Sequence, residues 1–150
     1  MNYKAHDTTP DSRLEAKALL AVRQARELAE ELMRLPRALF GELSRASVSA
    51  TRRRLEIGEI SDGRDLVVLE AVQARLVECI ASETAGHRIE PRHAGYDAEG
   101  DCWAWVSVPH YTDRGEAALA LHTKLVGFLN LRQELLDRGA AERLVMRSLR

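Results

Sequence analysis

The residues best equipped for chemistry gather between His87 and Tyr111. His87, His93 and His110 stand close in sequence to Cys102, Asp97 and Asp101. These are side-chain types that hold transition metals. Their spacing argues against that use, because no C-x-x-C pair and no H-E-x-x-H occurs. If the segment folds as a hairpin with Tyr96 opposite Trp103, His93 and His110 share a face. They then lie about four positions apart along the strands, too far for one ion. Glu90 with Asp97 or Asp101 offers carboxylates for acid–base work. A pair of surface acids is common, and such work needs a set separation. No G-x-S-x-G occurs, neither Cys79 nor Cys102 has a catalytic motif around it, and "GEISDG" lacks the Lys-Ser/Thr that completes a phosphate loop. No catalytic residue, metal ligand or cofactor is assigned. An enzyme with an unrecognised site is the third-ranked reading.

The same region holds a different resource. "AGYDAEGDCWAWVSVPHY", Ala94 to Tyr111, carries four of the seven aromatic rings of the chain. With Tyr96 opposite Trp103, side-chain alternation divides the hairpin into two faces. One face carries Ile89, His93, Ala104, Val106 and Val108 and suits the helices of the domain. The other carries Arg88, Glu90, Arg92, Tyr96, Trp103, Trp105 and Ser107. Trp, Tyr and Arg dominate interface hot spots because each joins a large contact area to a polar tip. Arg88, Arg92, Tyr96, Trp103 and Trp105 are therefore the candidate partner-binding residues. Aromatic rings beside arginine can also stack unpaired bases. The plainer reading puts the indoles under a helix, with arginine stems along their edges.

A second candidate surface is basic. Between Arg34 and Arg54 the chain has Arg34, Arg37, Arg45, Arg52, Arg53 and Arg54 against the single Glu42, with Ser44, Ser47, Ser49 and Thr51 interleaved. Arg45, Arg52, Arg53 and Arg54 are the candidate phosphate contacts of a nucleic-acid binder. The bland alternative is a solvated segment balanced by Glu56, Glu59, Asp62 and Asp65. Over nine residues "TRRRLEIGE" is similar to the end of the helix-turn-helix of one large repressor family, where Thr, an Arg-hydrophobic-Glu triplet and Gly-Glu recur. Upstream the likeness stops. Arg52 stands where that pattern has an apolar residue, and no turn glycine occurs near Ala46. It carries no family assignment.

The elements that must position these residues are mostly legible. Met1 to Pro10 reads as a disordered lead-in, and residues 11–150 as one α+β domain. Ser12 stands three residues before Glu15, a capping-box spacing. Leu14, Ala18, Ala21, Ala25, Leu28, Leu32 and Leu35 then step by four and three along one side of a helix. That stripe packs on the domain itself or also pairs two copies along residues 12–35. "PRALFGELSRA" predicts a short helix carrying Leu39, Phe40 and Leu43. "SVSATRRRLEIGEISDG" fits neither period well; residues 51–60 are strand or helix, and Arg52 to Ile60 is a candidate third strand. Asp62 caps a helix bearing Leu66, Leu69, Leu76 and Ile80, widened by Val68, Val72 and Cys79. The hairpin runs from His87 to Asp97 and from Cys102 to Pro109, around "AEGD". Asp113 caps a helix with Leu121, Leu125, Phe128 and Leu135 that stops near Gly139, before a last turn or two.

Composition bounds the rest. With 150 residues, 45% hydrophobic and 30% charged, the chain suits one domain that needs no staple. A formal net charge of −1 provides no global field towards nucleic acid or membranes. Two cysteines make no disulfide framework, and both read as small buried hydrophobes. No apolar run approaches a membrane span, and the polar "MNYKAHDTTP" lacks a signal-peptide core. A cytoplasmic location is expected. Arginine outnumbers lysine 19 to 3 among the 22 basic residues, which suggests a GC-rich, bacterial genome. The expected architecture is an antiparallel hairpin of two strands, or three, on four or five helices. The expected function is a small non-enzymatic regulator, adaptor or inhibitor, of host, phage or plasmid origin, that docks a protein through its hairpin face. Nucleic-acid binding is the alternative.

Overall fold

The structure is a computed structural model that describes residues 10–97 and 100–148, with side chains described for 12–95 and 100–139. The lead-in expected over residues 1–10 lies outside the described residues up to residue 9. Helix α1 runs Pro10–Arg34, a 3-10 turn Arg37–Phe40, α2 Arg45–Glu56 and α3 Gly63–Ser82. Strands β1 (Thr84–Asp97) and β2 (Gly100–Tyr111) follow, and then α4, Asp113–Ser148. The class is mixed α+β, with four α-helices and one antiparallel hairpin, as the sequence pattern implies.

The helices make the core. The four-three stripe of α1 is spent inside the chain: Ala21, Ala25, Leu28 and Leu32 are buried, and Leu14, Ala18 and Leu35 half-buried. Of these, Ala25, Leu28 and Leu32 share one core cluster with Leu55 of α2, Leu69, Val72 and Leu76 of α3, and Leu121, Leu125 and Phe128 of α4, and Leu35 packs against it. The middle of that stripe, from Ala21 to Leu32, is therefore not free to pair two copies along residues 12–35. Phe40 closes one end from the 3-10 turn. Gly41 stops that turn at φ +56°, where an L side chain is strained, and a Cβ there would come within 2.9 Å of the Arg75 guanidinium.

Five expectations change. "PRALFGELSRA" is not one short helix but a 3-10 turn, Arg37–Phe40, that ends at Gly41 before α2 begins at Arg45. Arg52 to Ile60 is not a strand. It is the end of α2 and the turn after it, with Ser44 accepting a hydrogen bond from Ser47 N as the cap. The buried side of α2 is Val48, Thr51 and Leu55, and a polar residue in the middle of that stripe hides the helical period. Ser12 lies inside α1, which opens at Pro10, a residue suited to a first helical position. Thr112, one residue before Asp113, caps α4, its hydroxyl accepting from Gly115 N at 3.2 Å. Helix α4 runs through Gly139 to Ser148, because one helical glycine costs only about 1 kcal/mol and the residues after it are good helix formers.

The hairpin grows directly from the helical pair α3 and α4. Only Glu83 separates α3 from β1, and only Thr112 separates β2 from α4. No described hairpin residue belongs to the buried core. Ala104, Val106 and Val108, expected to lie on the helices, are only half-buried. The hairpin is an arm and not a layer. At about 3.4 Å per residue, the 12 residues of β2 reach on the order of 40 Å.

Candidate functional site

Pairing along the arm is Arg88 with Val108, Ile89 with Ser107, Glu90 with Val106, Pro91 with Trp105, Arg92 with Ala104 and His93 with Trp103. The register then shifts between His93 and Gly95, so that Gly95 pairs with Cys102 and Tyr96 with Asp101. The extra residue, Ala94, is a β-bulge, and it inverts which residues of β1 face which side. Beyond the bulge, Tyr96 holds a register position on the face of Trp103 and Trp105, as the alternation implies; its side chain lies outside the described residues. Below the bulge the assignment is corrected. Arg88, Glu90 and Arg92 are not on the indole face. They lie opposite Val108, Val106 and Ala104, where Arg92 pairs with Glu90 at 3.3 Å. Their aliphatic stems account for the half-burial of those residues. His93 moves the other way and joins the indoles.

The indole face is therefore His87, Ile89, Pro91 and His93 from β1 with Trp103, Trp105, Ser107 and Pro109 from β2. Its aromatic centre is bare: Trp103 is 62% exposed, Trp105 74% and Ile89 71%. His93 stands edge-on to Trp103, with ring centroids 5.3 Å apart. Its Nε2 is 3.4 Å from Asp101, the acid at the tip end of this face. No Lys, Arg, Asp or Glu lies between His87 and Trp103 on this side. The plainer reading, with the indoles under a helix, is excluded for both.

Two prolines shape the edges. Pairing runs unbroken from Gly86 to His93 although Pro91 and Pro109 lie within it. A proline has no N–H to give, so these pairs are ones whose nitrogens point away from the partner strand. Pro91 thus interrupts the outer edge of β1 and Pro109 that of β2, which blunts both against strand addition. The arm is built to be met on its faces.

The basic segment is dispersed. Consecutive residues on a helix turn by about 100°, so Arg52, Arg53 and Arg54 cannot form one patch. Arg45 and Arg53 are exposed, while Arg52 is half-buried with its Nε buried and lacking a hydrogen-bond partner. Arg54 is committed. Its Nε lies 3.0 Å from both oxygens of Asp65, and its Nη2 2.6 Å from Oδ1. Asp65, 2% exposed, also accepts from the Thr51 hydroxyl at 2.7 Å. As a phosphate contact Arg54 is already neutralised. Asp62 accepts from the Arg64 side chain and backbone N–H, and this holds its carboxyl well below the usual range. Arg132 is a buried cation missed in the sequence. It occupies the α4 position after Phe128 that an apolar residue would take, and donates to the carbonyl of Ile60 at 2.6 Å.

A cleft of about 470 Å³ lies between α2 and α3. Ala46, Ala50, Val67 and Val68 line it, with Arg54 and Arg64 already paired at its rim. Its hydroxyls are likewise engaged, Ser47 with Ser44 and Thr51 with Asp65. Among the described residues no three His, Cys, Asp or Glu stand together as metal ligands, and no helix is long and apolar enough to cross a membrane. Cys79 and Cys102 are both half-buried. Comparison with protein-family models, with curated proteins and with solved structures finds no match.

Proposed function

We propose that the protein is a small non-enzymatic interaction protein that docks a protein partner through the indole face of its hairpin. The observation that carries this reading is the pair of bare indoles, Trp103 and Trp105, on an arm that adds nothing to the buried core. Contiguous exposed aromatic area is uncommon on soluble chains and marks interaction surfaces. Tryptophan leads the residue types of binding hot spots. A two-stranded hairpin alone is marginally stable in water, so a partner covering the face would also order the arm. The proposal covers regulators, adaptors and inhibitors as one class. It keeps the bacterial, cytoplasmic setting that the composition suggests.

Nucleic acid is the second reading, favoured by exposed Arg45 and Arg53 on α2. It is weaker because the indole face has no arginine and Arg54 is spent on Asp65. Affinity capture from a bacterial lysate, with and without nuclease, tests the choice. The wild-type chain should retain a protein whose capture ignores nuclease. The Trp103→Ala/Trp105→Ala chain should lose it while melting normally. Capture that is nuclease-sensitive, steeply salt-dependent and lost in Arg45→Gln/Arg53→Gln would overturn the proposal in favour of nucleic acid.

A further inference from the structure

We infer that the indole face takes a second copy of this chain, the two arms stacking face to face about a two-fold axis. This rests on the docking reading and names the partner. Three observations carry it. The first is charge. In an isologous interface each patch meets itself, so any formal charge at its centre meets its own copy. The indole face is free of Lys, Arg, Asp and Glu from His87 to Trp103. The arginines that would suit a phosphate-bearing or acidic partner, Arg88 and Arg92, are on the opposite side. Among the described residues its one acid, Asp101, sits at the tip end. An antiparallel stacking lays that end over the root of the second copy and keeps the two acids apart.

The second observation is the edges. Pro91 and Pro109 interrupt the outer edge of each strand, so two arms cannot extend one another into a continuous sheet through those positions. Face-to-face packing, with sheets about 10 Å apart, remains open to them.

The third is area. At their observed exposures the two indoles and Ile89 offer roughly 400 Å², and the rest of the face brings this to about 600 Å² per copy. Two copies would bury about 1,200 Å², just above the ~1,000 Å² that a specific interface needs. A face of this size gives a weak, concentration-dependent dimer.

Sedimentation velocity of the full chain, from about 1 to about 200 µM, tests the inference across the range of such weak complexes. The wild type should pass from monomer to dimer. Because the centre of the face carries no Lys, Arg, Asp or Glu, the transition should shift little with added salt. Trp103→Ala and Trp105→Ala should each weaken it by about 30-fold or more, and Ile89→Lys should abolish it by placing like charges opposite each other. Arg88→Ala, on the other side of the arm, should leave it unchanged. A wild type that stays monomeric, a dimer that survives Trp103→Ala/Trp105→Ala, or one lost equally with Arg88→Ala would overturn the second copy. A monomer that still captures a nuclease-insensitive protein through its indoles removes this inference and leaves the docking reading standing. A monomer that captures nothing removes both.

Discussion

Glu83 and Thr112 are joined twice across the root of the arm: Thr112 N donates to the Glu83 carbonyl at 2.9 Å, and the Thr112 hydroxyl donates to Glu83 Oε2 at 2.6 Å. The same hydroxyl caps α4 by accepting from Gly115 N. One side chain thus fastens the end of α3 to the start of α4 and fixes where the hairpin leaves the helices. Thr112→Val should remove the cap and the side-chain bond together, at about 1–2 kcal/mol. Gly115 is the tighter point. A Cβ there would lie 2.9 Å from Tyr111 Cβ, 3.0 Å from Glu83 Cβ and 3.2 Å from the Glu83 carbonyl oxygen, none of them the end of a flexible chain. Gly115→Ala should cost roughly 1–3 kcal/mol by crowding. Urea unfolding of the two variants checks both figures, and hydrogen exchange should show faster opening at the arm root. A fully stable Gly115→Ala would mean that the root has slack.

The consecutive arginines of α2 should separate in a stability assay. Arg54 is the counter-charge of nearly buried Asp65, and removing one partner of such a pair strands the other. Arg54→Gln should therefore lower the melting temperature strongly. Arg53→Gln, on the exposed side, should leave it unchanged. Thr51→Val, which takes one hydrogen bond from Asp65, should cost about 1–3 kcal/mol. Equal effects of Arg53→Gln and Arg54→Gln would contradict the observed division of the three side chains.

These side chains also show where the sequence is readable. The stripe of α1 was plain because seven small or apolar residues alternate by four and three, and its middle, Ala21 to Leu32, is buried. The buried side of α2 was not, because its middle member is Thr51, whose hydroxyl is satisfied by Asp65, a residue eleven or more positions away from every member of the α2 stripe except Leu55. Arg132 was hidden for the same reason: its partner is the carbonyl of Ile60, 72 positions distant. On the arm, alternation identified the exposed set of β2 correctly. It misplaced Arg88 and Arg92 because one bulged residue, Ala94, inverts the phase of β1, and nothing in "RHAGYD" except a glycine hints at it. Exposure of the indoles could not follow from alternation alone, since it depends on whether a helix lies over them.

Acid should find a weak point at the start of α3. Arg64 holds the Asp62 carboxyl well below its usual value, and Lys17, with a smaller opposing effect of burial, lowers that of Glu134. A depressed folded value means that the unfolded chain binds protons first as pH falls. The contribution is complete above the unfolded carboxylate values, about 4. It is lost as pH drops through the depressed folded values. Urea midpoints should thus be level near neutrality and decline below about pH 4. Asp62→Asn keeps a capping oxygen but has no proton to take up, so its midpoint should decline less over the same window. An identical acid profile in the variant would assign the loss to other carboxylates.

The indoles themselves should behave as surface groups. Trp103 and Trp105 lie outside the core, whereas Phe128 is fully buried between the helices. Removing a side chain that is already mostly in water leaves no cavity and little transfer energy to lose. Trp103→Ala and Trp105→Ala should each change stability by less than about 1 kcal/mol. Phe128→Ala should cost roughly 3–5 kcal/mol through the cavity it leaves. Fluorescence gives an independent measure, because these two indoles are the only ones in the chain. In dilute solution, where the arm is uncovered, emission should be red-shifted and open to quenching by acrylamide. As concentration rises into the range where arms pair, quenching should fall, and the retained indole of either single variant should stay accessible. Blue-shifted emission that resists acrylamide at the lowest concentration would place the indoles under cover within one chain, and the docking face would have to be sought elsewhere.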